Sequence, residues 1–155
     1  MTERTITCHI CESTYDSLPE CDKTLINHAI NASKQAYAPY SHFHVGAAAR
    51  LKDGQIVTGN NQENVAYPSG LCAERVALFS AHAQHPHTPI TTLAIAAYNE
   101  RDNNFLIASP CGACRQVMVE FQRQTGIPIT LLLYSPKKVF IVKDAKELLP
   151  LAFDF

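Results

Sequence analysis

Cys111 and Cys114 stand two residues apart behind a proline, in Pro110-Cys111-Gly112-Ala113-Cys114. At a helix start, positions i and i+3 share a face, so both sulfurs can address one ion. The partial positive charge of a helix N-terminus also lowers a thiol's pKa and favours the thiolate that binds metal. A lone Cys-x-x-Cys serves as well for a redox pair, half of a structural zinc site or plain packing. A second fragment, Cys72-Ala73-Glu74-Arg75, adds what the first lacks. Cys72 would be a third thiolate, and three protein ligands leave zinc an open position for water, which separates catalytic from closed sites. Glu74 lies off the face of Cys72 and suits a general base instead of a fourth ligand. Arg75, at i+3 from Cys72, is spaced to donate hydrogen bonds to sulfur. Three thiolates on Zn²⁺ leave a net negative charge that opposes ionisation of a bound water. Two helix N-termini and a guanidinium offset it.

Several elements must hold these residues. Leu25, Ile26, Ala29, Ile30 and Tyr37 recur at helical spacing from Asp22 onward, and Pro39 should end that helix. Residues 45–51 and 56–59 read as strands, joined by the hairpin signal Asp53-Gly54. A helix over 71–82 carries the first chemical fragment, and a buried strand over 91–98 follows. After a polar loop, Ser109 is the expected N-cap and Pro110 the first residue of a helix that runs to about Gln124, closed by Gly126. Strands over 129–134 and 139–142 and a short helix over 145–149 complete the chain. The order α-β-β-α-β-α-β-β implies an α/β fold, one mixed five-stranded sheet flanked by helices. Residues 1–20 show no periodicity and read as a loose N-terminal extension, leaving residues 21–155 as a single domain.

The composition bounds the function. In 155 residues, 46% are apolar and only 17% charged, too few charges for a disordered chain. Thirteen basic and fourteen acidic residues give a net charge of -1, so no charge-driven nucleic-acid or lipid partner is expected. No apolar run is long enough to span a bilayer, and the polar first residues do not read as a signal peptide. Cytoplasmic location is therefore expected, where six cysteines serve as ligands or packing residues more readily than as disulfides. The low charged fraction also suggests surface covered by further copies of the chain.

Together the two fragments form the zinc-deaminase pattern, Cys-x-Glu followed by Pro-Cys-x-x-Cys. The sequence resembles the small, homotetrameric type of cytidine deaminase over most of its length, from about Leu25 to Phe153. The resemblance runs through the blocks Ala36 to Phe43, Val45 to Ala48, Asn61-Gln62-Glu63-Asn64, Cys72 to Arg75, Ser109 to Gln116 and Glu147 to Pro150, in family order.

The resemblance implies a three-layer α/β/α fold and hydrolytic deamination of cytidine and deoxycytidine to uridine and deoxyuridine, with loss of ammonia, for pyrimidine salvage. It implies one Zn²⁺ per subunit on Cys72, Cys111 and Cys114, with Arg75 supporting the sulfurs. Glu74 would take a proton from the attacking water, deliver it to ring N3 and later protonate the departing amine. Asn61 and Glu63 match a ribose clamp, and Phe43 the aromatic packed against the pyrimidine. Tyr40 and Tyr67 are further candidates for lining the site. Phe153 matches a C-terminal aromatic supplied by a neighbouring subunit of a homotetramer.

Some features depart from the family. Val65 replaces a small residue, the loop 99–105 is longer than in compact members, and Cys8 and Cys11 have no counterpart. Cys21 reads as packing and the tract His82 to His87 as a solvated helix end. Two rival functions differ in testable ways. A deaminase of another aminopyrimidine nucleoside, such as blasticidin S, would lack the Asn-x-Glu clamp. A non-catalytic module would close a four-cysteine zinc site from Cys8, Cys11, Cys111 and Cys114, with no role for Glu74.

Overall fold

Alternation along the central strands decides the layering. In a computed structural model that describes residues 1–153, strands β2 (Phe43–Leu51), β4 (Ile90–Asn99) and β6 (Thr130–Tyr134) form the middle of one sheet. Ala47, Ala49, Leu93, Ile95, Leu131 and Leu133 turn to one face and pack with Ala77 and Leu78 of α2 (Ala73–Gln84) and Met118 of α3 (Gly112–Thr125). Their neighbours Ala48, Ala94, Ala96 and Leu132 turn to the other face, against Leu25, Ile26 and Ala29 of α1 (Glu20–Ser33). A strand's period of two thus assigns each residue to one helical layer, giving α/β/α.

The full order is β1-β7-β6-β4-β2-β3, with β1 at Cys11–Ser13, β3 at Ile56–Asn60 and β7 at Val139–Val142. Only β4 and β6 pair in parallel among the described strands; the other pairings are antiparallel. Because β3 and β4 each run antiparallel to β2, they point the same way. Helices α2 and α3 therefore both leave the same end of the sheet, the carboxyl end of parallel-running strands, where open α/β sheets hold their ligands.

The five expected strands form, and two short ones join them. Asn104–Leu106 (β5) pairs with β4, and Cys11–Ser13 (β1) pairs with β7. The expectation of a loose segment over 1–20 therefore needs correcting at its far end. Cys11 faces Ile141 in the ladder, Leu18 is buried, and the Tyr15 ring meets Tyr134 edge-on at 5.9 Å. The exposed edge of β7 offers unpaired backbone groups that a short, non-periodic segment can satisfy.

Helix boundaries shift for local reasons. The first helix stops at Ser33, before Tyr37, because the Tyr37 N–H donates to Asn61 O and its carbonyl accepts from Glu63 N. The third begins two residues later than expected: Cys111 is its N-cap, not Ser109, with Pro110 ahead of the helix and its carbonyl accepting from Arg115 Nε at 2.7 Å. Gly126 closes that helix in the left-handed region, and Gly54 takes positive φ in the β2–β3 hairpin. The final helix is a short 3₁₀ turn over Ala145–Leu148, capped by the Asp144 carboxylate accepting from Lys146 N. No helix among the described residues is long and apolar enough to cross a membrane.

Candidate active site

Cys72 and Cys111 occupy the N-cap positions of α2 and α3, both with extended backbone, and Cys114 lies fully buried in the first turn of α3. The topology that starts both helices at one end of the sheet brings their sulfurs together. Cys72 Sγ lies 3.8 Å from Cys111 Sγ, and Cys111 Sγ lies 3.4 Å from Cys114 Sγ. All three sulfurs fall within 4.8 Å of one another, and this is the one such cluster of three donors among the described residues. Sulfurs about 2.3 Å from a tetrahedral zinc would be separated by roughly 3.8 Å. Donor type and spacing both fit the metal. Cys8, Cys11 and Cys21 are exposed and take no part in the cluster, so a four-cysteine site built from Cys8 and Cys11 is not formed.

The electrostatics favour a thiolate at Cys72. A hydrogen bond from Cys114 and the guanidinium of Arg75, whose Nη2 donates to Cys72 Sγ at 3.9 Å, hold its thiol down at about 5. The same pairing, with burial, pushes Cys114 upward, so the negative charge of the metal-free pair sits on Cys72. Glu74, one turn position beyond, is 5% exposed. Burial first, then the nearby charge of Cys72, raises its carboxyl above the ordinary range. A carboxyl whose proton affinity is raised by burial, beside a cluster of thiols, is suited to moving protons.

An open cleft of about 510 Å³ leads to Cys72 and Arg75, with Tyr40, Asn61, Glu63 and Tyr67 among its walls. Glu63 Oε2 accepts from the N–H groups of Tyr40 at 2.8 Å and Ser41 at 3.3 Å. Burial works to raise its carboxyl, but the Ser41 hydroxyl and these two amides outweigh it and hold Glu63 below the ordinary carboxylate value. Asn61 is braced differently. Its Oδ1 accepts from Val45 N at 2.8 Å and its Nδ2 donates to Phe43 O at 2.9 Å, so the amide ties the end of β3 to the start of β2. One N–H and one lone pair of that amide remain for another partner.

The two candidate aromatics stand apart from the cleft walls. Phe43 is half-buried at the first position of β2. Phe153 is 69% exposed, and its main chain is bracketed by Gln116, which donates from Nε2 to Phe153 O at 2.9 Å and accepts from Phe153 N at 3.3 Å. Gln116 and Arg115, whose Nη1 donates to Leu148 O at 2.8 Å, are site-supporting residues that sequence reasoning did not single out. Their position directly after Cys114 was the available signal.

The profile of the cytidine and deoxycytidylate deaminase zinc-binding region matches residues 19–128. The chain belongs to this family. Among its relatives, the cytidine deaminase of Halalkalibacterium halodurans is 46% identical over 96 residues, covering 62% of this chain and 68% of the relative. The cytidine deaminase of Mycobacterium tuberculosis is 40% identical over 104 residues, covering 66% and 74%. The crystal structure of cytidine deaminase from Burkholderia pseudomallei superposes with a TM-score of 0.72 at 39% identity, over 84% of this chain and 98% of that one. The α/β fold and the zinc-binding thiolate cluster are those of deaminases, hydrolases acting on C–N bonds.

Proposed function

We propose that this protein is a zinc-dependent hydrolase that deaminates cytidine and deoxycytidine, giving uridine and deoxyuridine with release of ammonia. It would act in the cytoplasm, in pyrimidine salvage, as a homotetramer. The observation that carries this reading is the junction of three clustered sulfurs, a buried carboxyl with raised pKa two residues from one of them, and a cleft that reaches Cys72 and its partner Arg75. Bound to Cys72, Cys111 and Cys114, zinc would supply the Lewis acidity that makes water a nucleophile at neutral pH.

Glu74 then takes one proton from the attacking water and passes it to ring N3, which makes C4 electrophilic as the C–O bond forms. Glu74 next moves the remaining proton of the new C4 hydroxyl to the amino nitrogen. The C4–N bond breaks, ammonia leaves and the carbonyl of uridine remains. One carboxyl can serve these steps because burial raises its proton affinity above that of an ordinary carboxylate, so that it can accept as well as return a proton. Arg75 keeps its charge on the Cys72 sulfur throughout. Glu63, immobilised by two amides, meets a sugar hydroxyl from the cleft wall, and Asn61 offers its remaining N–H or lone pair beside it. A substrate without that hydroxyl would leave these groups unpaired. Phe43, outside the cleft wall of the single chain but tied through its carbonyl to Asn61, is assigned to the pyrimidine, and Phe153 to the pocket of a neighbouring subunit.

The test is zinc content together with ammonia release from cytidine, deoxycytidine, blasticidin S and cytosine. The two nucleosides should be turned over far faster than the others. Glu74→Gln should keep its zinc and lose activity by about 10²–10⁴-fold; retention of full activity would rule out the proton-carrier role.

A further inference from the structure

The place of the Glu63 carboxylate is the place of the turn that carries Tyr40 and Ser41, since their amides hold it. That turn contains an unfavourable residue. His42 has φ of 57°, in the left-handed region that costs a side-chain-bearing residue energy, though histidine tolerates it better than most. Such a conformation persists where the surroundings over-determine it. Here His42 N donates to Ala38 O at 3.1 Å, and Ser41 Oγ accepts from Phe43 N at 3.1 Å.

Further ties come from a residue at the end of the neighbouring strand. Glu100 N donates to His42 O at 3.1 Å, and Glu100 Oε2 lies 3.0 Å from His42 Nδ1 and 3.5 Å from His44 Nε2. Glu100 thus grips His42 through main chain and side chain at once. It stands immediately beyond β4, where Asn99 pairs with Phe43, so its base is the end of one of the central strands. The loop behind it closes on itself, with Asn99 Nδ2 donating to Asp102 Oδ2 at 2.6 Å and Arg101 N to Asn99 Oδ1 at 3.0 Å.

We propose that Glu100 is a positioning residue for sugar recognition, fixing the Tyr40–Ser41 amides through His42 and thereby the carboxylate of Glu63. The role rests on the reading of Glu63 as the group that meets a sugar hydroxyl. It predicts an effect on substrates that carry the hydroxyl and not on those that lack it. The histidine and glutamate are each about half exposed, so the link is modest in strength.

The experiment measures kcat and KM for cytidine and for 2′,3′-dideoxycytidine. Glu100→Ala should raise KM for cytidine about fourfold with kcat within about twofold, and leave KM for the dideoxy substrate unchanged. Glu100→Asp, which retains the carboxylate, should restore part of the loss. In a His42→Ala background the Glu100→Ala change should add nothing further. An active wild type with an unaltered Glu100→Ala variant overturns the role, as does an equal rise in KM for both substrates or an undiminished effect without His42. A wild type that releases no ammonia from cytidine overturns the sugar-clamp reading together with it.

Discussion

A thiol that binds zinc must lose its proton, and Cys72 and Cys114 differ in how far they have done so beforehand. Cys72, held at about 5 by Cys114 and Arg75, is a thiolate at neutral pH, whereas Cys114 is raised and still carries its proton. Because a depressed pKa means the charged form persists above it, zinc uptake near pH 7 displaces no proton from Cys72 and does displace one from Cys114. Adding zinc to chelated protein in a weakly buffered indicator solution should therefore release fewer than three protons per ion. Arg75→Gln removes a donor from Cys72 and should raise that number. Three protons from the unaltered protein would show that Cys72 is not preformed as a thiolate.

At the scale of elements, the site depends on how closely α2 lies on the sheet. Gly59 in β3 makes that approach possible, since a Cβ there would lie 2.4 Å from Ala77 N and 2.9 Å from Ala73 O, both backbone atoms of α2. Backbone cannot yield as a flexible side chain does, so Gly59→Ala should push away the helix that carries Cys72 and Glu74. The expected loss is about 1–3 kcal/mol in denaturant unfolding, with reduced zinc occupancy. Gly112 gives the contrast. It lies between two of the clustered cysteines, yet nothing stands within 4 Å of a Cβ added there. Gly112→Ala should keep zinc and leave the thermal midpoint level or higher, because alanine favours the first turn of α3. Equal damage from both changes would mean that helix approach is not what positions the site.

For the whole molecule, the accessible surface is 8778 Å² at 17.1 kDa. A monomer of this mass ordinarily exposes roughly 7,800 Å². The excess lies partly in residues 1–10, which are exposed throughout, and partly in apolar side chains such as Val65, Tyr67, Phe79 and Phe153. Tyr67 belongs to the cleft wall, so part of this exposed apolar surface lies beside the site. Sedimentation should give four chains per particle, and Phe153→Ala should lower activity more than it lowers the thermal midpoint. The N-terminal strand has its own consequence. Deleting residues 1–13 removes β1 and a salt bridge from Lys138 to Glu12 at 3.0 Å, exposing the edge of β7. The truncated protein should keep its far-ultraviolet spectrum and aggregate as its concentration rises; a soluble truncate would assign that edge no protective role.

The main helices, the five longer strands and the three cysteines that cluster were legible in the sequence because each depends on local chemistry. Periodicity marks the buried faces, Gly126 and Gly54 mark chain reversals, and cysteine spacing follows the geometry of a helix start. Residues whose meaning lies in distant partners were not legible. The strand at Cys11–Ser13 forms only because β7 leaves an edge to fill. Asn61 reads as a sugar ligand by its motif, yet much of its amide is engaged by the backbone of β2. Glu100 is one polar loop residue among several until the sheet brings it beside His42. The sequence by itself determined which atoms can do the chemistry, since reactivity belongs to residue type. Tertiary structure decided how they are held, because burial, convergence and backbone restraint arise only between segments far apart in the chain.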